Sequence, residues 1–247
     1  MSELNRQQAL FRDLGLIDFR EAWDYQEQLL IKNVEAKTRS WAGQEQGQPD
    51  LPATVHHLLF VEHPSVYTIG KSGKEAHVLI DEAGRARRNI GYYKINRGGD
   101  ITFHGPGQLV AYPILDLEKF YKDLGRYLRN LEEVIILTLA DYGIKGDRSP
   151  GETGVWIDPG IKGRERKICA IGIRCSRWIT MHGLAFNVNT DLSYFDDIIP
   201  CGIRDKKVTS LQFELSREIS MNEVKEKVKK YFEKVFGISI VEEGGRR

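Results

Sequence analysis

The chain has 247 residues, 41% hydrophobic and 29% charged, enough for one large domain with a buried core. Its 36 basic and 35 acidic residues leave a formal net charge of +1, which excludes a global field that would recruit nucleic acid or an anionic membrane. The 3 cysteines are an odd count that argues against a disulfide framework, and no apolar run reaches membrane-spanning length.

The opening residues MSELNRQQALFRDLG lack the cationic and apolar regions of a signal peptide, so the expected location is the cytoplasm. FRDLGLIDF, Phe11 to Phe19, reads as a first strand. From Arg20, the residues Ala22, Tyr25, Leu29 and Val34 fall at helical spacing and predict a helix packed on a sheet. The polar run GQEQGQPDLP, 43–52, has no periodicity and predicts an exposed loop. HHLLFVEHP, His56 to Pro64, is a buried strand closed by proline, with His56 and His57 on opposite faces. VYTIG, Val66 to Gly70, is a second short strand. Residues 71–89 predict a charged surface loop with a short ordered piece at His77 to Ile80. Its Lys71, Lys74, Arg85, Arg87 and Arg88 suit an acidic partner.

Strands are expected at Tyr92 to Asn96 and Gln108 to Leu115. A long helix follows from Leu124 to Tyr142, whose face of Leu124, Leu128, Leu131, Ile135, Leu139 and Tyr142 is expected to be core rather than functional. GVWID, KICAIGIR and TMHGLAFNV, beginning at Gly154, Lys167 and Thr180, predict a three-stranded meander. Ser220 with Glu223 forms a capping box for a helix through Val224, Val228, Tyr231, Phe232 and Val235, before a tail expected to fray. With no internal repeat and no composition break, residues 1–247 read as a single domain.

The most unusual stretch is RGGDITFHGPGQLVAYP, Arg97 to Pro113. Its glycines permit close backbone approach, and beside them sit Arg97, a fixed cation, and His104, whose ordinary pKa lies near neutrality. Backbone N–H groups beside these side chains suit a small ligand with a carbonyl or anionic end. A glycine-rich turn beside a buried histidine is the structural alternative. Cys201, between Pro200 and Gly202 in IIPCGIRD, is the thiol a turn would present at a cleft, whereas Cys169 and Cys175 sit in strand-like surroundings. A nucleophilic thiol needs a cation or base beside it, and His104, His182 and the lysines remain open as partners. Lys167 opens an otherwise apolar strand. At a cleft edge it would exchange protons with a thiol, and elsewhere it would be a strand-end lysine in solvent. His182 and Gly183 lie on a strand with small neighbours, where a satisfied core histidine is the ordinary explanation. No Cys-x-x-Cys pair, His-Glu-x-x-His or phosphate-binding Gly-x-x-x-x-Gly-Lys-Ser/Thr loop is present, so neither metal nor nucleotide chemistry has a motif.

Taken in order, RGGDITFHGPGQLVAYP, TGVWID, RKICAIGIR, MHGLAFNVN and IPCGI resemble the lipoyl(octanoyl) transferases, which move an octanoyl chain from acyl carrier protein to a lysine of lipoyl domains. The resemblance spans residues 14–211 and implies an α/β fold, a mixed sheet flanked by helices like the catalytic cores of lipoate and biotin protein ligases. It implies Cys201 as the acyl-thioester residue and Lys167 as its activator. It assigns acyl binding to Arg97, Gly98, Gly99, Asp100, Ile101, Thr102, Phe103 and His104, to Ala170, Ile171 and Gly172, and to Gly183, Leu184 and Ala185. Asp100 occupies a position that varies in that family, and the polar insertion at 43–52 is longer than the family leads one to expect.

The same resemblance implies octanoyl-acyl carrier protein as donor, with lipoyl domains of 2-oxoacid dehydrogenase complexes and the glycine cleavage H protein as acceptors, and neither cofactor nor metal. Exchange of one thioester for another is nearly balanced, and amide formation runs downhill, so no ATP is required. Cys201 and Lys167 are then expected to titrate jointly. Backbone N–H groups at the glycines, with His104 or His182, are candidates to hold the oxyanion, and an apolar tunnel takes the acyl chain. Two other readings stay open: an ATP-dependent lipoate or biotin protein ligase of the same fold, and a non-catalytic acyl-carrier-binding protein. Cys201 in its IPCGI setting and the HGPGQ tract favour the transferase.

Overall fold

Two-residue alternation in the central strands decides the architecture of the protein. In a computed structural model that describes residues 6–45, 53–200 and 207–243, with side chains in the first stretch described through residue 41, strand β2 (His56–Glu62) is buried on both faces. Leu58 and Phe60 point into one core and Leu59 and Val61 into another. Strand β6 (Gln108–Ile114) divides in the same way, Leu109 and Ala111 against Val110 and Tyr112. A sheet apolar on both sides needs a helical layer on each.

One layer is α1 (Phe19–Glu45), which brings Ala22, Leu29 and Leu30 onto the face of Leu59 and Val110. The other combines α3 (Leu124–Ala140) and α5 (Met221–Phe236). Leu131, Ile135 and Leu139 of α3 are fully buried, each contributing about 1.5–3 kcal/mol, and Val224, Val228 and Phe232 of α5 join them in the same core. Ser220 caps α5 by accepting the Glu223 N–H, as the capping box predicts.

The large sheet also contains β1 (Gln8–Leu16), β7 (Gly146–Ser149), β8 (Glu152–Ile157), β9 (Arg166–Ser176), β10 (Ile179–Asn187), β11 (Lys207–Val208) and β12 (Ser239–Glu242). Its order is β12-β1-β2-β6-β10-β9-β8-β7, with β11 added parallel to the start of β9. Pairings β12/β1 and β1/β2 are parallel and the rest of the path is antiparallel, so the sheet is mixed and helix-flanked as expected. The predicted meander is β8-β9-β10. A second sheet, β4-β3-β5, joins β3 (Val66–Ile69), β4 (Gly91–Lys94) and β5 (Ile101–His104) around its own core of Tyr67, Ile69, Ile101, Phe103, Phe195 and Ile198.

The chain departs from the sequence-based expectation in several places. Helix α1 runs on to Glu45, past the start of the expected loop at Gly43, and residues 46–52 lie outside the described residues, as does the tail at 244–247. The charged segment expected to be a loop holds a 3-10 turn at Glu75–His77 and a helix, α2 (Glu82–Arg87), started by the Asp81 side chain accepting the Gly84 N–H at 2.7 Å. Strands β7, β11 and β12 and the short helix α4 (Leu211–Leu215) are additions to the prediction.

Candidate active site

The Arg97–Asp100 loop lies across β9 at backbone contact distance. Gly98 donates its N–H to Ile173 O at 2.8 Å, and a Cβ placed on Gly172 would stand 2.8 Å from Gly98 O, so only glycine at 172 permits this approach. On its other side the loop accepts N–H groups from Gly70, Lys71 and Ser72 at 3.0–3.2 Å. Gly172 pairs directly with Gly183 of β10, and a Cβ on Gly183 would come within 2.1 Å of Ala111 O. The sheet therefore carries two adjacent positions without side chains beneath the loop.

Above them is a cavity of about 410 Å³, within the range of small-molecule sites at about 300–1,000 Å³. Of the residues singled out in the sequence, 97–102, His104, Lys167, 170–172 and 182–185 line it. Phe103 does not: it turns into the core of the small sheet, stacked on Tyr194 at 4.5 Å. Leu128 of α3 does line the cavity, which corrects the expectation that its helix face is core alone. Gln108 and Asn187 are wall residues that sequence reasoning passed over; their signal was a buried amide at the end of a mostly apolar strand.

Arg97 is buried, and its guanidinium donates to Thr68 O at 2.7 Å, Thr68 Oγ1 at 2.9 Å and Gly98 O at 3.0 Å. The cation read as a ligand grip thus also ties its own loop to β3. Asp100 accepts from Ile101 N at 2.7 Å and contacts His77 Nδ1 at 2.5 Å. His77 in turn accepts the Ile199 N–H at 2.8 Å, while Leu79 donates to Asp197 O at 2.8 Å. The 77–79 segment thereby bridges the Asp100 loop and the approach to Pro200, which lines the cavity.

Three imidazoles gather near this wall. His63 contacts Tyr112 Oη at 2.7 Å and Ile17 O at 2.9 Å. His104 contacts Gln108 Oε1 through Nδ1 at 2.8 Å and Thr68 Oγ1 through Nε2 at 3.3 Å. His182 has φ of 57°, a left-handed conformation uncommon outside glycine, and its N–H is held by Gln26 Oε1 at 2.9 Å. Burial lowers all three pKa values. His63 falls to about 4, and His182 to about 3 with the cations of Arg97 and Arg174 adding to desolvation. His104 drops well below 6.5 through burial, then through its neighbours His63 and Arg97. All three are neutral at pH 7.

Lys167 lies half-buried at the start of β9, its Nζ 4.6 Å from the Trp156 ring centroid, and its carbonyl accepts the Thr209 N–H at 3.0 Å. It lines the cavity, unlike a strand-end lysine in open solvent. Cys201 lies outside the described residues; the residue before it, Pro200, is part of the cavity wall, as is Val208. Cys169 is fully buried, and burial pushes its thiol far above the ordinary range; the Cys175 thiol is raised by the same cause. Neither suits a thiolate nucleophile. Among the described residues, no cluster of three or more metal-ligating side chains is present and no helix is long and apolar enough to cross a membrane.

A family model described as the lipoyl protein ligase A/B catalytic domain matches residues 18–233. An octanoyltransferase of Christiangramia forsetii is 55% identical over 226 residues, covering 91% of this chain and 94% of its own. Another, from Flavobacterium psychrophilum, is 53% identical over 231 residues, covering 93% and 97%. In three dimensions the chain is similar to a solved structure of an archaeal lipoylation system, a bi-partite lipoate protein ligase and its E2 lipoyl domain from Thermoplasma acidophilum. That likeness has a TM-score of 0.67 at 19% identity over 96% of this chain and 87% of the other, and it shows the fold.

Proposed function

The chain belongs to the lipoyl protein ligase A/B catalytic-domain family, and from that premise we propose that it transfers an octanoyl group from acyl carrier protein, through a thioester on Cys201, to the target lysine of lipoyl domains. It is an acyltransferase of protein lipoylation; the observation that carries this is 55% identity to an octanoyltransferase along nearly the full length of both chains. Residues 1–247 act as one catalytic domain in this reading. The acceptors are lipoyl domains of 2-oxoacid dehydrogenase complexes and the glycine cleavage H protein, encountered in the cytoplasm.

The proposed roles follow from chemistry. Cys201 Sγ attacks the carrier thioester carbonyl carbon; the new C–S bond forms as the bond to the carrier sulfur breaks, and the departing thiolate takes a proton from the Lys167 ammonium. The acceptor lysine then attacks the enzyme thioester, a C–N bond forms, the Cys201 C–S bond breaks, and the amine proton passes to Lys167. Between the steps the acyl chain occupies the cavity over Gly172 and Gly183, against Ala170, Ile171, Leu184 and Ala185. Backbone N–H groups of the Arg97–Asp100 loop, with His182, are proposed to hold the oxyanion. Three features support the roles: Lys167 lines this cavity, the chain reaches Cys201 directly from Pro200 on its wall, and the two remaining thiols are raised by burial.

Mass spectrometry after incubation with octanoyl-carrier tests the reading. An octanoyl mass on the Cys201 peptide, and amide formation on a lipoyl domain without ATP, are the expected results. A requirement for ATP together with activity in Cys201→Ala would establish a ligase instead. Carrier binding with no acyl mass would establish a non-catalytic binder.

A further inference from the structure

A directed chain of hydrogen bonds runs through the cavity wall from the strand that carries Lys167 to Arg97. Thr209 donates its N–H to Lys167 O, and its own carbonyl accepts Asn187 Nδ2 at 3.0 Å. That contact fixes the Asn187 amide, because a carbonyl can only accept. Asn187 Oδ1 accepts Gln108 Nε2 at 2.9 Å, and the same nitrogen donates to Phe103 O at 3.1 Å. The Gln108 amide is therefore fixed as well, and its Oε1 faces His104 Nδ1 at 2.8 Å. An oxygen there requires the proton of the neutral imidazole to sit on Nδ1. Nε2 is left as an acceptor for Thr68 Oγ1, which itself accepts Arg97 Nη2 and so sends its one proton to the ring. Arg97, Thr68, His104, Gln108, Asn187 and Thr209 are all buried, so no bulk water competes for these bonds.

We infer that Gln108 and Asn187 are positioning residues that fix the His104 proton on Nδ1 and, through the Thr68 hydroxyl, hold the Arg97 guanidinium in the wall of the acyl cavity. His104 then has no N–H to offer a ligand and is not an oxyanion donor, which leaves that role to His182 and the loop backbone. The inference deepens the transferase reading and rests on it for its kinetic consequence, but the proton position does not.

The first experiment is ¹⁵N NMR of the imidazole nitrogens in the labelled whole chain at pH 7, with the His104 signals identified by their loss in His104→Gln. A protonated Nδ1 and an unprotonated Nε2 are expected; a proton on Nε2 overturns the assignment. The second uses Gln108→Glu, whose carboxylate cannot donate to Phe103 O or Asn187 Oδ1 and draws a second proton onto His104 against the charge of Arg97, with the neutral imidazoles of His63 and His182 also facing it. In this variant both His104 nitrogens should be protonated near neutral pH. The kcat for octanoyl transfer should fall on the order of tenfold to a hundredfold with KM for the carrier nearly unchanged, and recover in part as pH rises. A folded Gln108→Glu chain with unchanged kcat overturns the positioning role. Should that variant fail to fold, the wild-type proton position still decides. The tautomer is read without substrate, so its failure is separable from that of the transferase reading, which the acyl mass on Cys201 decides.

Discussion

Gly98 O lies 2.8 Å from the point where a Cβ on Gly172 would stand, so these two residues press the Arg97–Asp100 loop and β9 together with no side chain between them. Both touching groups are anchored backbone, and neither can yield cheaply. Gly172→Ala should cost about 1–3 kcal/mol of stability and displace the loop. Octanoyl transfer should fall by roughly a hundredfold if the shift approaches 1 Å. Thermal denaturation alongside steady-state kinetics measures both, and full activity in the variant would show that the close approach is dispensable.

Lys167→Met keeps much of the side chain's length and its contact with the Trp156 ring while removing the exchangeable proton. On the proposed mechanism, formation of the Cys201 thioester should slow on the order of 10²–10⁴-fold. Rapid-quench mass spectrometry of the acyl adduct reads this step alone. An unchanged rate would move the proton-transfer role to another group.

The buried imidazoles make stability sensitive to acid. His63 keeps its neutral form down to about pH 4 when folded, whereas the unfolded chain binds that proton from about 6.5 downward. The unfolded state thus holds more protons across this window, and stability falls as pH is lowered through it, by about 1.4 kcal/mol per unit for this residue. His56, also lowered to about 4 by burial, and His182 act in the same direction. Urea midpoints between pH 7 and 4.5 should decline, and His63→Gln should flatten the decline by the share of one histidine. An identical slope in that variant would remove His63 from the account.

Two kinds of basic residue are distinguished within 71–88. Lys71, Lys74 and Arg87 are exposed, and converting them to Gln should raise KM for an acidic carrier by roughly threefold to tenfold at low salt, with the difference vanishing at high salt. Arg88 is engaged with Asp197 and lies 4.4 Å over the Tyr194 ring. On the proposed mechanism, Arg88→Ala should therefore slow acylation of Cys201 through the loosened 194–199 segment, at under about 1 kcal/mol of global stability because the pair is partly exposed. A change in carrier KM alone would reassign it to docking.

Local pattern made much of this legible. Alternation exposed the strands, helical spacing exposed α3 and α5, and glycines in a fixed order marked the cavity wall. Helix α2 escaped because Gly84 and the arginines give it no apolar stripe; Asp81 was its only signal. Phe103 sits in a motif assigned to acyl binding yet packs elsewhere, since neighbours along a strand face opposite ways. The dual engagement of Arg97 depends on Thr68, 29 residues earlier, and no local reading reaches a contact of that span.

The small β4-β3-β5 sheet has a core of its own, and that core includes Phe195 and Ile198 as well as Ile101 and Phe103. The glycine loop after Arg97, which also rests on β9, and the run that ends at Pro200 thus ride on one raft with a core distinct from the two that flank the main sheet. A unit with its own core is expected to open as a body. Amide protons of β3, β5 and 195–199 should exchange together, ahead of β2 and β6, and a fatty tail that enters by lifting one edge of the raft would unseat the other.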